Sequence, residues 1–350
     1  MQQIKTGIVA FGKAARIFHA PVLNYLPQFN LAKVVERHNN ESQKFYPEVE
    51  VIRSTDALLE DPDLDLVVIT TPNDSHFSLA RQCLEAGKHV VVDKPFTTSS
   101  DDARKLIELA KDKGKLVNAF QSRRWDGDFK TLNKLAKQDL LGGLVELESR
   151  YDRFRNYQKP NAWREKAGEG TGVFFDLGPH LIDQALVLFG FPESISADIR
   201  IQRDGGMADD HFEVILDYGT VKVSLRGGML VRSRTHRFLL HGTNGSFIKY
   251  GMDPQEEALI AGGSPADPGW GVESEEQWGL LDTSYKGLHI KGRIETETGG
   301  YQEYYENIAE VLQEEALPAV TEDQMIATIR IIELAHQSSR EKRVLPFSLS

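Results

Sequence analysis

Asp176, His180 and Asp183 lie four and three residues apart near the middle of the chain. On a helix that spacing puts them on one face. A histidine flanked by two carboxylates is oriented and kept basic. It suits a general base that takes a proton from a hydroxyl as hydride leaves the same carbon. Asp183 also reads as a structural cap or as a partner of a nearby arginine. His and Asp at helical spacing can bind zinc, but no cysteine cluster or second neighbouring histidine supports a metal, and none is expected. Gly172 and Gly178 stand where small residues would let the backbone approach a ligand. Lys94, in Asp93-Lys94-Pro95, is a further candidate. At a strand end its ammonium can hydrogen-bond a reacting hydroxyl and stabilise alkoxide character; the alternative is a solvated lysine.

These residues need a platform, and the first third of the chain describes one. In Gly7-Ile8-Val9-Ala10-Phe11-Gly12-Lys13-Ala14-Ala15 an apolar run from Ile4 meets a small-residue turn and then an amphipathic run, Ala14 to Leu26. Ala10, Gly12 and Ala15 occupy the three glycine positions of a dinucleotide fingerprint. There the backbone approaches a pyrophosphate and the first amides of the helix hold its charge. Phe11, Gly12, Lys13 and Ala14 are the expected contacts. Apolar runs at 31–36, 66–70, 89–92 and 116–120 read as strands, and 75–86 and 99–113 as helices, with Ser99 and Asp102 forming a capping box and Gly87 and Gly114 the stops. Repeated β-α-β units imply a parallel sheet that takes ligands at the carboxyl ends of its strands.

Those ends carry the cofactor candidates. Glu36 can accept hydrogen bonds from ribose hydroxyls, which favours NAD, whereas Arg37 beside it can pair with a 2′-phosphate. Both readings stand, with the balance toward NAD; a solvated Glu-Arg pair is the alternative. Thr71, Pro72 and Asn73 lie where the nicotinamide half would pass. His76 either lines the cofactor or occupies a first helical turn.

Past Gln121 the pattern changes to period-two alternation, at 145–152, 195–201, 212–218, 221–225 and 237–241, with turns at Asp204-Gly205-Gly206, Tyr218-Gly219 and Asn244-Gly245. This predicts an antiparallel sheet covered by helices on one face. Its open face would be hidden by a second subunit, giving a homodimer or homotetramer. Residues 253–300 read as an excursion with short strands, and 301–315 and 321–340 as amphipathic helices. The expected fold is thus α/β followed by α+β. Residues 1–121 form a dinucleotide-binding Rossmann domain, and 122–350 a substrate and oligomerisation domain whose last helix can pack back on the first. A net charge of −11 argues against nucleic-acid and anionic-membrane partners. No apolar run is read as long enough to span a bilayer. The one cysteine, Cys83, reads as a small buried hydrophobe, and a cytoplasmic location is the default.

The motifs together resemble the glucose–fructose oxidoreductase / inositol dehydrogenase (Gfo/Idh/MocA) family. The match includes Gly7 to Ala15, Thr71-Pro72-Asn73 with His76, and Glu85-Ala86-Gly87-Lys88-His89-Val90 running into Asp93-Lys94-Pro95, where Asp93 replaces the family's Glu. Arg123-Arg124-Trp125-Asp126, Trp163-Arg164, Asp176 to Gln184, and His241-Gly242 with Gly245 to Gly251 look like the scyllo-inositol dehydrogenase branch. The resemblance implies an NAD(P)-dependent dehydrogenase of cyclic polyols or sugars. It makes Lys94 and His180 the catalytic pair, with Asp176 beside them. A hydroxyl-rich substrate needs paired donors and acceptors and planar surfaces; Arg124, Asp152, Trp163, Arg164 and Asp183 are the expected contacts. The competing reading of the arginines is an ion-pair network that ties 151–154 to the Arg123-Arg124 turn. The alternative functions are an NAD-dependent glycosidase that oxidises transiently and a dinucleotide sensor without turnover. Intact Lys94 and His180 speak against the sensor.

Overall fold

A strand without polar side chains has to be covered on both faces, and Leu66-Val67-Val68-Ile69 is fully buried along its length. The computed structural model describes residues 3–160 and 162–349; the outermost ends of the two expected domains fall outside them. Among the described residues this strand lies inside a six-stranded sheet: β1 (Ile4–Val9), β2 (Phe29–Val35), β3 (Glu50–Ile52), β4 (Leu66–Ile69), β5 (His89–Val92) and β6 (Val117–Ala119). Every pairing is parallel, in the order β3-β2-β1-β4-β5-β6. The order reverses between β1 and β4, and doubly wound sheets take their ligands beyond the carboxyl ends at such a reversal.

Helices His76–Glu85 and Ser100–Lys113 fall where the sequence puts them. Ser99 Oγ accepts the Asp102 amide at 3.1 Å, and Gly114 ends the helix at φ +61°. Strand β3 has no counterpart in the sequence reading, because three residues are too few to show a period. The compact unit around this sheet runs to Trp125 and also takes in Pro254–Trp270 and Gly300–Ile326. The helix Gln302–Leu312 lies in it. The Tyr304 hydroxyl donates to Asn118 Oδ1 at 3.0 Å, and Asn118 Nδ2 donates to the Val320 carbonyl at 2.9 Å.

The second unit comprises Asp126–Asp253, Gly271–Gly299 and the residues from Ala327. Its sheet contains β7 (Leu144–Asp152), β8 (Ser194–Arg200), β9 (His211–Asp217), β10 (Lys222–Gly228), β11 (His236–Gly242), β12 (Gly245–Tyr250), β13 (Gly279–Tyr285), β14 (Leu288–Ile294) and β15 (Leu345–Pro346). The order is β14-β13-β12-β11-β7-β10-β9-β8-β15. Only β7 and β10 pair parallel; the others are antiparallel. Alternation sends Leu147, Tyr151, Phe212, Val214, Leu216, Val223 and Leu225 inward, against Leu177, Leu181 and Ile182 of helix Gly172–Phe189. Each such side chain contributes roughly 1.5–3 kcal/mol by leaving water. The other face carries cross-strand ion pairs, Lys222–Glu146 at 3.0 Å and His236–Glu148 at 3.1 Å among them. On the β11 side of these pairs runs a stripe of Leu239, Ile248 and Leu280 on neighbouring strands.

Helix Gly172–Phe189 corrects one expectation, since by length and composition it could cross a membrane. Most of it is buried inside the second unit, as a core helix would be.

Candidate active site

In the first unit, the turn after β1 has the shape a pyrophosphate needs. Ala10 sits at φ +74°, a left-handed conformation that L residues adopt at a cost. Its carbonyl accepts the Thr70 hydroxyl at 3.0 Å, which fixes the turn to the end of β4. A Cβ on Gly12 would meet no atom within 4 Å, so the missing side chain leaves open space instead of serving internal packing. Phe11 packs against Phe45 and Tyr46 (ring centroids 6.4 Å apart in each case), and Arg16 lies over the Phe45 ring at 5.1 Å. Lys13 is exposed, 3.9 Å from Glu256. These residues fit a dinucleotide: a tight turn, free space and cationic side chains at the switch of strand order.

At the end of β2, Glu36 is otherwise engaged than expected. Its carboxylate accepts the amides of Glu41 at 2.9 Å and Ser42 at 2.8 Å, together with the Ser42 hydroxyl. Burial would raise its pKa; these donors and Arg53 outweigh burial and hold it below the usual value. Arg37 and His38 are exposed, and among the described residues nothing pairs with either.

Past β4, Thr71 and Pro72 lead into a short turn with Asn73 buried. His76 opens helix His76–Glu85, in a first turn as expected, but it is buried, not exposed. It is 1% exposed, and its two ring nitrogens lie 2.8 Å from the Pro95 carbonyl and 2.9 Å from the Thr71 carbonyl. It clasps the loops after β4 and β5 together. Burial holds its pKa below the usual imidazole value, against the pull of the two carbonyls and of Asp93. After β5, Asp93 Oδ1 accepts the Lys94 amide at 2.8 Å. His19 Nε2 approaches the same oxygen at 3.9 Å, while its Nδ1 meets the Tyr305 hydroxyl at 2.6 Å. Burial would raise the Asp93 pKa, but His19, Lys94 and His76 hold it down. His19, which the sequence reading does not single out, is thereby the buried neighbour of Asp93; its one signal is a histidine in the helix behind the small-residue turn.

In the second unit, Asp176, His180 and Asp183 share helix Gly172–Phe189 as their spacing requires. Asp176 is partly exposed; His180 and Asp183 are buried. Pro179, inside the helix, removes the donor that would serve the Phe175 carbonyl, next to the two candidate groups. The Tyr151 ring faces His180 at 6.4 Å, backed by Arg237 at 4.2 Å, whose guanidinium reaches Ser149 at 2.7 Å and Gln184 at 2.8 Å. Arg164 pairs with Asp176 at 3.3 Å and stacks on Trp163 at 4.5 Å. An aromatic face, a guanidinium, a carboxylate and an imidazole thus occur together, a set able to hold a hydroxylated ring and take a proton from it.

The structure also places the remaining candidates. Gly172 and Gly178 do not open the backbone to a ligand: a Cβ at Gly172 would lie 1.9 Å from Asp209 Oδ2, and one at Gly178 2.5 Å from the Phe174 ring. Asp152 is not with His180. The alternation of β7 sends it to the opposite face from Tyr151, where it accepts from Arg150 Nε at 2.7 Å and the Thr235 hydroxyl at 2.9 Å. Arg124 holds its own unit together, donating to the Ala319 carbonyl and, at 3.0 Å, to Gln324 Oε1. The expected arginine network exists, but Arg123 joins Tyr301 and Glu256, not residues 151–154. Cys83 is fully buried, its thiol pushed up to about 12 by burial.

Two family models match the chain: "Oxidoreductase family, NAD-binding Rossmann fold" over residues 4–120, and "Oxidoreductase family, C-terminal alpha/beta domain" over 133–347. Scyllo-inositol 2-dehydrogenase (NADP(+)) IolW of Bacillus subtilis is 39% identical over 98% of this chain and 95% of its own. The uncharacterized oxidoreductase YdgJ of Escherichia coli is 40% identical over 98% of both. Among solved structures, the putative oxidoreductase yvaA of Bacillus subtilis superposes with a TM-score of 0.95 at 38% identity, over 99% of both chains. The open turn at Gly12, the strand-end residues and the helix of Asp176 and His180 therefore sit in a chain that belongs to the Gfo/Idh/MocA oxidoreductase family, with an NAD(P)-binding Rossmann domain, and that is a dehydrogenase acting on CH–OH groups.

Proposed function

We propose that the chain oxidises a secondary hydroxyl of a cyclic polyol, scyllo-inositol or a close relative, with NADP as its cofactor. The observation that carries this reading is the grouping of Trp163, Arg164, Asp176 and His180. The name of the Bacillus subtilis relative supports it. A nicotinamide held by the turn after β1 would supply the hydride acceptor or donor. His180 takes the hydroxyl proton; Asp176 lies one turn before it on the same helix. At the end of β5, the Lys94 ammonium is suited to stabilise alkoxide character on a hydroxyl. Arg164 and Trp163 present donors and a planar face to the ring. The NADP preference rests on β2: the Glu36 carboxylate is held by the helix that follows it, while Arg37 and His38 stand exposed and uncommitted. An inositol and sugar panel assayed with both cofactors tests the reading. It is supported by turnover of an inositol with NADP ahead of NAD. It fails if no cyclic polyol is oxidised, or if an aryl glycoside is cleaved without net change in the cofactor.

A second copy of the chain covers the open face of the second sheet in this reading. Leu239, Ile248 and Leu280 form its apolar centre, and ion pairs of both signs flank it, as a self-complementary two-fold interface requires. Sedimentation of Ile248→Glu, expected to release monomer, tests it; an unchanged assembly rejects it. A cytoplasmic location goes with the proposal and is checked by fractionating cells.

A further inference from the structure

Two segments of the second unit carry the candidate substrate and proton-transfer groups. One is helix Gly172–Phe189, with Asp176 and His180. The other is the turn after β7, with Trp163 and Arg164. Each is tied to the loop between β8 and β9, and the two ties end on adjacent acids. Asp209 grips the helix: its carbonyl accepts the Val173 amide at 2.8 Å and its Oδ1 the Phe174 amide at 2.7 Å. Gly172 makes this possible. It sits at φ +91°, and a Cβ there would lie 1.9 Å from the Asp209 carboxylate.

Asp210 starts the other tie. Its carboxylate accepts the Gln202 amide at 2.7 Å and both the Arg203 amide and Nε at 2.9 Å. Arg203, 6% exposed, extends Nη1 to the Tyr157 carbonyl at 2.8 Å and to Glu165 Oε2 at 3.5 Å. Glu165 in turn accepts Arg155 and, at 2.9 Å, the Lys159 amide. Glu165 is the residue next to Arg164, and Arg164 pairs with Asp176. The circuit is therefore closed: helix, Asp209-Asp210, Arg203, Glu165, Arg164 and the helix again. Charged groups this buried are costly unless paired and hydrogen-bonded. Surface loops seldom hold so many.

We propose that Asp209, Asp210, Arg203 and Glu165 are positioning residues for the reaction, fixing the Trp163-Arg164 turn against the helix that carries Asp176 and His180. The inference rests on the polyol dehydrogenase reading of those groups. Rigid support of this kind matters because a misplacement of about 1 Å can cost on the order of a hundredfold in rate. The staple orients the ring of the substrate, so loosening it weakens substrate binding more than it slows the bound complex.

Glu165→Gln keeps the size of the side chain and removes its charge. In the full-length enzyme this variant is expected to raise KM for the polyol about tenfold, with kcat within about threefold and cofactor affinity unchanged. Trypsin cleavage after Arg164 or Lys166 in the folded protein should quicken by about tenfold. Arg203→Lys, which keeps the charge but loses the fork, should show the same split more weakly. Faster cleavage with an unchanged polyol KM in both variants overturns the proposal, because the staple then only stabilises the loop. So does a parallel loss of polyol and cofactor binding, which means general unfolding. If wild-type protein oxidises no polyol, the function reading fails instead. Unchanged cleavage in Glu165→Gln would then dismiss the staple as well, without any substrate.

Discussion

Gly172→Ala tests how the helix bearing Asp176 and His180 is held. Alanine at φ +91° carries a left-handed strain of about 1–2 kcal/mol. Its Cβ, 1.9 Å from Asp209 Oδ2, also drives the carboxylate off the Phe174 amide, a charged hydrogen bond worth about 1.5–3 kcal/mol. Alanine stiffens the unfolded chain and returns about 0.4–1 kcal/mol. The net loss is therefore about 2–4 kcal/mol, read from urea unfolding midpoints at constant m-value. In an Asp209→Ala background the clash is absent. The same substitution should then cost less by about 1.5–3 kcal/mol, the coupling between the two positions. A loss below about 1 kcal/mol for Gly172→Ala, or an equal loss in both backgrounds, refutes the Asp209–Gly172 fit.

The remaining predictions concern the same two halves of the chain. Burial raises the Asp209 pKa from 3.8 to about 6, so the folded state holds this proton more tightly than the unfolded state. The contribution of Asp209 to stability is complete below pH 3.8 and is lost as pH rises through about 6. Relative to Asp209→Asn, wild-type stability should fall by about 3 kcal/mol from acidic to neutral pH in urea unfolding; a constant difference contradicts this. Ala10→Gly relieves the left-handed strain and should raise stability by roughly 0.5–1 kcal/mol in urea unfolding, with cofactor affinity kept; a loss of stability argues that Ala10 is unstrained. Arg37→Ala should raise KM for NADP about tenfold or more and leave KM for NAD unchanged; equal effects on both mean that Arg37 does not meet a 2′-phosphate.

Much of this was legible in the residues. Continuous apolar runs marked β4 and β5 because a parallel strand covered on both faces tolerates little else. Alternation marked β7 to β11 because one face of that sheet is covered and the other open. It did not mark the parallel pairing of β7 with β10, since alternation encodes a face and not a partner. Residues 254–270 and 300–326 carry no sign of belonging to the first unit; only buried contacts such as Tyr304 to Asn118 decide it. At the site, Asp176 and His180 were readable because a helix turns local spacing into shared direction. Asp152 was misread because its neighbour Tyr151 points to the other face. Gly172 was misread because its contact, Asp209, lies in a loop beyond the next strand. Glu36 fits the general pattern of a ribose acceptor, but two amides and a hydroxyl five and six residues on compete for it.

Hydride transfer with His180 as the base is tested most directly by His180→Ala, with turnover of an inositol and binding of reduced cofactor measured on the same preparation. Turnover should fall by about 10²–10⁴-fold while the cofactor binds as in wild type. Wild-type turnover in that variant would contradict the assignment of the proton to His180.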